Sequence, residues 1–229
     1  MLYLVGTPIG NLQDLSLRQA KTILTADVIL AEDTRSAETL ISAAERLFTM
    51  ERNHQAKVIS YYKEREFEKL PYILELLAEG KNIALISEAG MPLISDPGGL
   101  LASHCRKKNI PFTVIPGPSS VTTALALAGT TAHTWTYLGF LPRKENELRK
   151  LIGKMKQVPS FGKNDHVFIA FESPERFVDT MKVLARTNPT ASITVCREMT
   201  KMYEEVLTGT PAELAKNKLR GELVLIISL

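Results

Sequence analysis

The feature that most limits the fold of this chain is an alternation in its first half. Short, continuously apolar, largely β-branched runs are separated by longer stretches of helical periodicity. Leu2–Val5, Val28–Leu30, Val58–Tyr61, Ile83–Ile86 and Phe112–Ile115 read as strands. Leu15–Leu24, Arg35–Leu47, Glu66–Glu79 and Gly98–Lys108 read as helices. A strand that is apolar on both faces must be covered on both, and a helix between successive strands returns the chain across the sheet. The expectation is an α/β domain with about five parallel strands.

Pro116-Gly117-Pro118 interrupts this alternation and is the expected boundary between an N-terminal α/β domain, residues 1–116, and a C-terminal one, residues 117–229. Beyond it, Ser120–Ala128 reads as a helix with serines at its N-terminus. Tyr137–Phe140, Val167–Phe171, Ile193–Cys196, Glu205–Leu207 and Leu223–Ile227 read as strands, and Glu145–Lys156 and Pro174–Ala185 as helices. Some of these strands follow one another without a helix between them, which predicts a mixed second sheet. Lys144 to Asp165 carries charges, Pro159, Gly153 and Gly162, and a mobile loop is expected there.

The chain has 28 basic and 25 acidic side chains, a net charge of +3, which by itself does not point to a nucleic-acid partner. Cys105 and Cys196 form no CxxC pair and read as two buried, reduced thiols. His54, His104, His133 and His166 lack ligand spacing, so no metal site is expected. No apolar run reaches the length of a bilayer span, and Met1–Gly10 lacks the basic lead of a secretory signal. A cytoplasmic protein with no membrane association is the expectation.

Three loops in the first half, each following a strand, and one in the second carry polar residues. Gly6-Thr7-Pro8-Ile9-Gly10-Asn11 follows the first strand, where a glycine turn lets a ligand approach the backbone. It is neither GxGxxG nor a Walker loop, and a simple tight turn explains it equally well. Glu32-Asp33-Thr34-Arg35 ends the second strand: two acids and an arginine to orient a polar substrate, or Asp33 or Thr34 capping the next helix. Ser87 to Gly98 follows the fourth strand and is long for an idle connection; Asp96 reads as a cap for the next helix, with Pro97 at its first position. Arg197 to Lys201 follows a strand in the second half, where a solvated face is the ordinary meaning of such a run.

GTPIGN, AEDTR, SEAGMPLISDPG, VIPGPSS, LGFLPRK, CREMTK and GELVLII stand in this order from Leu2 to Ile227. Together they resemble the tetrapyrrole methylase superfamily and, within it, are most similar to the ribosomal RNA small-subunit methyltransferase I family. The resemblance implies two α/β domains with S-adenosylmethionine folded into the cleft between them. It also implies a homodimer, a ribosomal RNA or small-subunit partner, and 2′-O-methylation of a 16S cytidine. By the same resemblance, Pro8, Gly90, Met91, Pro92 and Ser95 fall on the first domain's cofactor loops. Ser119 and Ser120 fall on the small-residue pair opening the second domain. Phe171, Glu172, Arg197, Glu198, Met199, Gly221 and Glu222 fall on the second domain's cofactor-facing segments. Glu88 and Met91 depart from the family's usual Asp-Ala-Gly-Thr-Pro, and many members continue beyond the last strand, where this chain stops at Leu229.

A ribose hydroxyl is a weak nucleophile, and Glu32 and Asp33 are the candidate bases, with Arg35 positioning a phosphate or an acid. Arg35, Arg143, Lys144, Arg149, Lys150 and Lys154 are the candidate phosphate contacts as a group, although Glu145 and Glu147 among them also suit a solvated helix face. Two other readings stand beside this one: methylation of a tetrapyrrole or other small acceptor, and a cofactor-binding module without transfer activity.

Overall fold

Leu2–Val5 (β1), Val28–Ala31 (β2), Lys57–Ser60 (β3), Ile83–Ile86 (β4) and Phe112–Ile115 (β5) form one sheet in the order β3-β2-β4-β1-β5. Every pairing in it is parallel. In this computed structural model, which describes residues 1–159 and 165–229, the sheet belongs to the first of two compact units, Met1–Ser119 and Ser120–Leu229. Successive side chains of a strand point to opposite faces, and both faces are buried. Val5, Ile29, Ala31, Ala84 and Ile86 pack against helices Leu17–Thr25 (α1) and Thr34–Phe48 (α2). Leu2, Leu4, Val28, Leu30, Ile83 and Leu85 pack against Glu66–Ala78 (α3) and Gly99–Lys107 (α4). This is the parallel, doubly covered sheet that the alternation dictates.

The helix ends follow local chemistry. Ser16 opens α1 with a capping box, its hydroxyl accepting from the Gln19 N–H while the Gln19 side chain accepts from the Ser16 N–H. Asp33 caps α2 by accepting from the Arg35 N–H. Asp96 does not cap α4, contrary to expectation. The N-cap is Gly98, at φ 115° and without a side-chain cap, and its N–H donates to the Glu66 carboxylate at 2.6 Å. A carboxylate from another helix has taken the capping role, which leaves Asp96 for something else.

The second unit contains Ser120–Leu127 (α5), Thr134–Phe140 (β6), Glu145–Met155 (α6), His166–Glu172 (β7), Pro174–Thr187 (α7), Ser192–Arg197 (β8), Glu205–Gly209 (β9), Pro211–Leu214 (α8) and Leu223–Ser228 (β10). Its sheet runs β6-β7-β10-β8-β9. Only β6 and β7 pair in parallel; the rest are antiparallel, giving the mixed sheet. Phe168, Ala170, Ile193, Val195, Leu223 and Leu225 pack against α6, α7 and α8 on one face. The mobile loop expected over 144–165 is largely the ordered helix α6, and residues 160–164 lie outside the described residues. Helix α8 was not foreseen, although Thr210 and Glu213 form the S/T-x-x-E capping box that signals it. Cys105 and Cys196 are both buried, one in each unit. No helix of the described residues is long and apolar enough to cross a membrane.

One contact fixes how the strands' carboxyl ends meet. A Cβ on Gly6 would stand 2.7 Å from the Met91 sulfur and 2.8 Å from the Gly117 nitrogen, so the loops after β1, β4 and β5 close on a position only glycine can occupy. A Cβ on Gly153, in α6, would meet nothing. Gly6→Ala should therefore lower stability by about 1–3 kcal/mol through overpacking. Gly153→Ala should raise it by about 0.5–1 kcal/mol by removing backbone freedom from the unfolded chain. Denaturant midpoints of the two variants measure both effects, and equal midpoints would remove the packing role from Gly6.

Candidate functional site

The connection from β1 runs to β2 over one face of the first sheet, and the connection from β4 runs past β1 to β5 over the other. β1 and β4 are neighbours, so the chain leaves this point in opposite directions. In open α/β sheets, ligands bind in the crevice beyond such a switch point. The loops after β1 and β4 bound it. They are joined by a two-residue bridge: Thr7 N–H donates to Gly90 O at 2.9 Å, and Gly90 N–H to Thr7 O at 3.2 Å. The Ser87 hydroxyl donates to Gly90 O at 2.8 Å and that of Thr7 to Ser87 O at 3.2 Å. Gln19, fully buried on α1, donates from Nε2 to Gly6 O at 2.6 Å, and a Cβ on Gly117 would collide with that amide.

Above this base the loop is strained. Gly90 has φ 88°, Leu93 71° and Ser95 69°. A non-glycine residue in the left-handed region costs about 1–2 kcal/mol. Six such residues occur among the described ones, and Thr49 and Asn109 merely follow helices α2 and α4. The other four are Leu93 and Ser95 here and Glu198 and Thr200 in the second unit. Strain of this kind concentrates where ligands are held. Of the resemblance's loop residues, Pro8, Gly90 and Pro92 are buried, Met91 is half-buried and Ser95 is exposed. The small size of Gly90 answers to its own surroundings, since a Cβ there would stand 3.3 Å from Ile9 Cγ2.

Acids gather beside this loop. Asp33 is occupied: its carboxylate caps α2 and pairs with Arg35 at 3.0 Å. The Arg35 side chain, then its N–H, holds that carboxyl below its ordinary range. The guanidinium of Arg35 itself lies out in solvent. Glu32 differs: burial, then repulsion from Glu88 and Glu64, pushes its carboxyl up. Asp96 is pushed up to about 6, mainly by burial and then by Glu32 and Glu88. Glu32 and Asp33 are neighbours in sequence and the two candidate bases, but the structure groups Glu32 with Glu88 and Asp96 instead. Asp96 was missed as a chemical group because an acid before Pro-Gly carries the signature of a cap.

In the second unit, Ser120 opens α5, and Ser119 is the last residue of the first unit. Glu172 ends β7 with its carboxylate fully inside the protein. It pairs with Arg176 at 2.5 Å and accepts from the Thr180 hydroxyl at 2.5 Å and from the Ser173 N–H at 2.7 Å. Those bonds tie β7 to the start of α7. Phe171 lies on the opposite face among aromatic rings. Arg197 donates from Nε to Arg220 O at 2.7 Å and pairs with Glu205 at 2.9 Å. Glu198, at φ 49°, accepts the Glu222 N–H at 2.9 Å and pairs with Lys201 at 3.1 Å, while Lys201 reaches Glu222 at 2.9 Å. The Glu222 backbone, then Lys201, holds the Glu198 carboxyl below its ordinary range. A Cβ on Gly221 would stand 2.5 Å from Glu198 Cδ, and its φ is 86°, so glycine is required twice over. Met199, next in the chain, is buried. The structure thus brings Glu198 together with Gly221 and Glu222 across two hydrogen-bonded loops.

Residues 1–215 match the family described as Tetrapyrrole (Corrin/Porphyrin) Methylases. The chain is 36% identical over 231 residues to "Ribosomal RNA small subunit methyltransferase I" of Thermotoga maritima, covering 99% of this chain and 97% of that one. Its fold matches the methyltransferase CobJ with a TM-score of 0.72 at 14% identity, covering 99% of this chain and 93% of that one. It also matches uroporphyrin-III C-methyltransferase of Thermus thermophilus, crystallised with S-adenosylhomocysteine, with a TM-score of 0.64 at 18% identity, covering 99% and 96%.

The bonding of Glu172 and Glu222 separates a structural acid from a surface one. Glu172→Ala strips a buried pair and should cost about 3 kcal/mol. Glu222→Ala removes only the outer, exposed end of the Lys201 pair and should cost under about 1 kcal/mol. Thermal unfolding of the two variants tests this, and a Glu172 variant as stable as the Glu222 variant would show that the buried bonds do not hold α7 in place.

Proposed function

The chain belongs to the tetrapyrrole (corrin/porphyrin) methylase family and, within it, to the ribosomal RNA small subunit methyltransferase I family. From that premise we propose that it transfers a methyl group from S-adenosylmethionine to the 2′-hydroxyl of a cytidine in 16S ribosomal RNA, acting in the cytoplasm as a homodimer. The observation that carries the reading is the strained loop at the switch point, which holds Glu88 and Asp96 and has Glu32 beside it.

The cofactor carries positive charge on its sulfur and its amine, and the field of Glu32, Glu88 and Asp96 suits such a cation. Pro8, Gly90, Met91, Pro92 and Ser95 are assigned to holding it from the first unit. Ser119, Ser120, Phe171, the Arg197–Met199 segment and Gly221–Glu222 are assigned as further contacts, with Phe171 and Glu172 acting through their backbones because the Phe171 ring packs against Tyr137 and Phe140 and the Glu172 carboxylate is occupied. Bound there, S-adenosylmethionine supplies a methyl group already activated by its sulfonium. The chain's task is alignment, which in well-oriented intramolecular reactions is worth roughly 7–11 kcal/mol. A base then takes the hydroxyl proton. Asp33 is a poor one, since its carboxylate caps a helix and pairs with Arg35. Asp96, pushed up to about 6, ionises just below neutrality and holds a proton well once it has one, which is what a general base at pH 7 needs. Arg143, Lys144, Arg149, Lys150 and Lys154 are assigned to phosphates of the acceptor, with Arg149 already engaging Glu145 at 2.7 Å.

Methyl incorporation into isolated small subunits tests the proposal, with label expected on one cytidine ribose. Label on a tetrapyrrole and none on RNA would overturn it. The pH profile tests the base. Rate should rise as Asp96 ionises, giving an acid limb near pH 6, and Asp96→Asn should abolish that limb and slow the reaction about 100-fold at pH 8. A limb that persists in the variant dismisses Asp96 as the base. The folded value lies above the ordinary 3.8, so ionised Asp96 opposes folding. The wild type should lose stability relative to Asp96→Asn as pH rises from about 4 to about 6. For the homodimer, light scattering should give twice the 25.4 kDa chain mass; a monomer at every concentration refutes it.

A further inference from the structure

Strand β6 carries a row of aromatic side chains on the face of the second sheet turned away from α6, α7 and α8. Trp135 pairs with Val167 and Tyr137 with Ile169, while the next strand positions over, Phe168 and Ala170, belong to the helix-side core. In a regular strand Phe140, three residues beyond Tyr137, would turn to the helix side. It does not. The pairing resumes as Phe140 with Phe171, three residues on along β6 but two along β7, so β6 contains one extra residue. Gly139 sits in this bulge at φ 68°. Bulges of this kind re-aim side chains. Here the result is that Tyr137 and Phe140 stand on the same face, both edge-on to Phe171, with ring centroids 5.3 and 5.4 Å away. Trp135 is 46% and Phe140 60% exposed. A large ring left that open by a deliberate irregularity of the backbone is not filling a core. Two exposed cations, Arg143 and Lys144, follow within four residues of Phe140 on the connection to α6, where Arg143 borders a pocket lined by α6 and α7 and Lys144 pairs with Glu147 at 3.7 Å.

Resting on the RNA reading above, we infer that the Trp135–Tyr137–Phe140 row is a stacking platform for unpaired bases of the acceptor RNA, with Arg143 and Lys144 meeting the phosphates beside them. Flat rings in a row on a sheet face, with cations on the connection that follows, are an ordinary means of holding single-stranded nucleic acid, because every base offers a π-face. The platform positions the strand and takes no part in the chemistry. It also gives a protein of small net charge a hold on RNA that salt does not screen.

The test uses the full-length protein with a fluorescently labelled single-stranded oligoribonucleotide and with isolated small subunits. Phe140→Ala should weaken oligonucleotide binding about tenfold and raise KM for subunits by a similar factor, leaving kcat little changed. Phe140→Leu, which keeps the apolar bulk but has no ring, should lose as much as alanine, while Phe140→Trp should stay within about twofold of the wild type. Calorimetry with S-adenosylhomocysteine and light scattering should be unchanged in all three. Leucine binding as well as phenylalanine overturns the inference. So does a loss of cofactor affinity, which would give the ring to the cofactor, or a fall in mass, which would give it to a second copy of the chain. A wild type that binds and methylates no ribosomal RNA removes the functional reading and this inference with it, whereas a fully active Phe140→Ala removes only this inference.

Discussion

The arrangement of the first unit depends on how closely three backbones approach one another at Gly6. The loops after β1, β4 and β5 meet there, and neither Gly6 nor Gly117 has room for a methyl group. Gln19 seals the junction from below, its amide donating to Gly6 O while its own carbonyl accepts from the Ser16 N–H. That one buried glutamine couples the start of α1 to the geometry of the crevice. The two-residue bridge between Thr7 and Gly90 then aims the remainder of the β4 loop, and the strain at Leu93 and Ser95 is sustained because its base is immovable. Rigidity beneath and strain above are what holding a ligand in one orientation demands.

The loops of the second unit are fixed by electrostatic means. Glu198, Lys201 and Glu222 interlock across two loops, and a side chain at position 221 would collide with that of Glu198. Glu172, by contrast, turns inward. Its carboxylate meets Arg176, Thr180 and the Ser173 N–H, and so fixes the angle at which α7 leaves β7.

Much of this was legible in the sequence, for identifiable reasons. Short, continuously apolar runs such as Ile83–Ile86, bounded by polar or glycine residues and spaced by helical stretches, suit a doubly buried strand better than a helix, which would need greater length. The loops were legible as loops because Gly, Pro and acids cluster in them. What was not legible was which group each acid serves. Asp33 and Asp96 both stand shortly before a helix, yet one caps it and the other does not, because Glu66 arrives from a distant helix to take that role. Gln19 is an ordinary residue of an amphipathic helix until the fold buries it. The bulge at Gly139 likewise leaves no mark in a strand pattern that continues through it, since its effect, turning Phe140 to the face of Tyr137, exists only against the register of β7.

The distribution of thiols gives the molecule a property of its own. Each compact unit holds one cysteine and the chain has no other. Cys105 lies between α4 and the first sheet, its thiol pushed up by burial. Cys196 is held at about 11 by burial and donates to Ala124 O at 3.6 Å. Neither offers a thiolate to a reagent while its surroundings stay closed. Alkylation at either site therefore waits for that unit to open, and the two sulfurs act as separate clocks, reporting independently how often each half of the protein breathes.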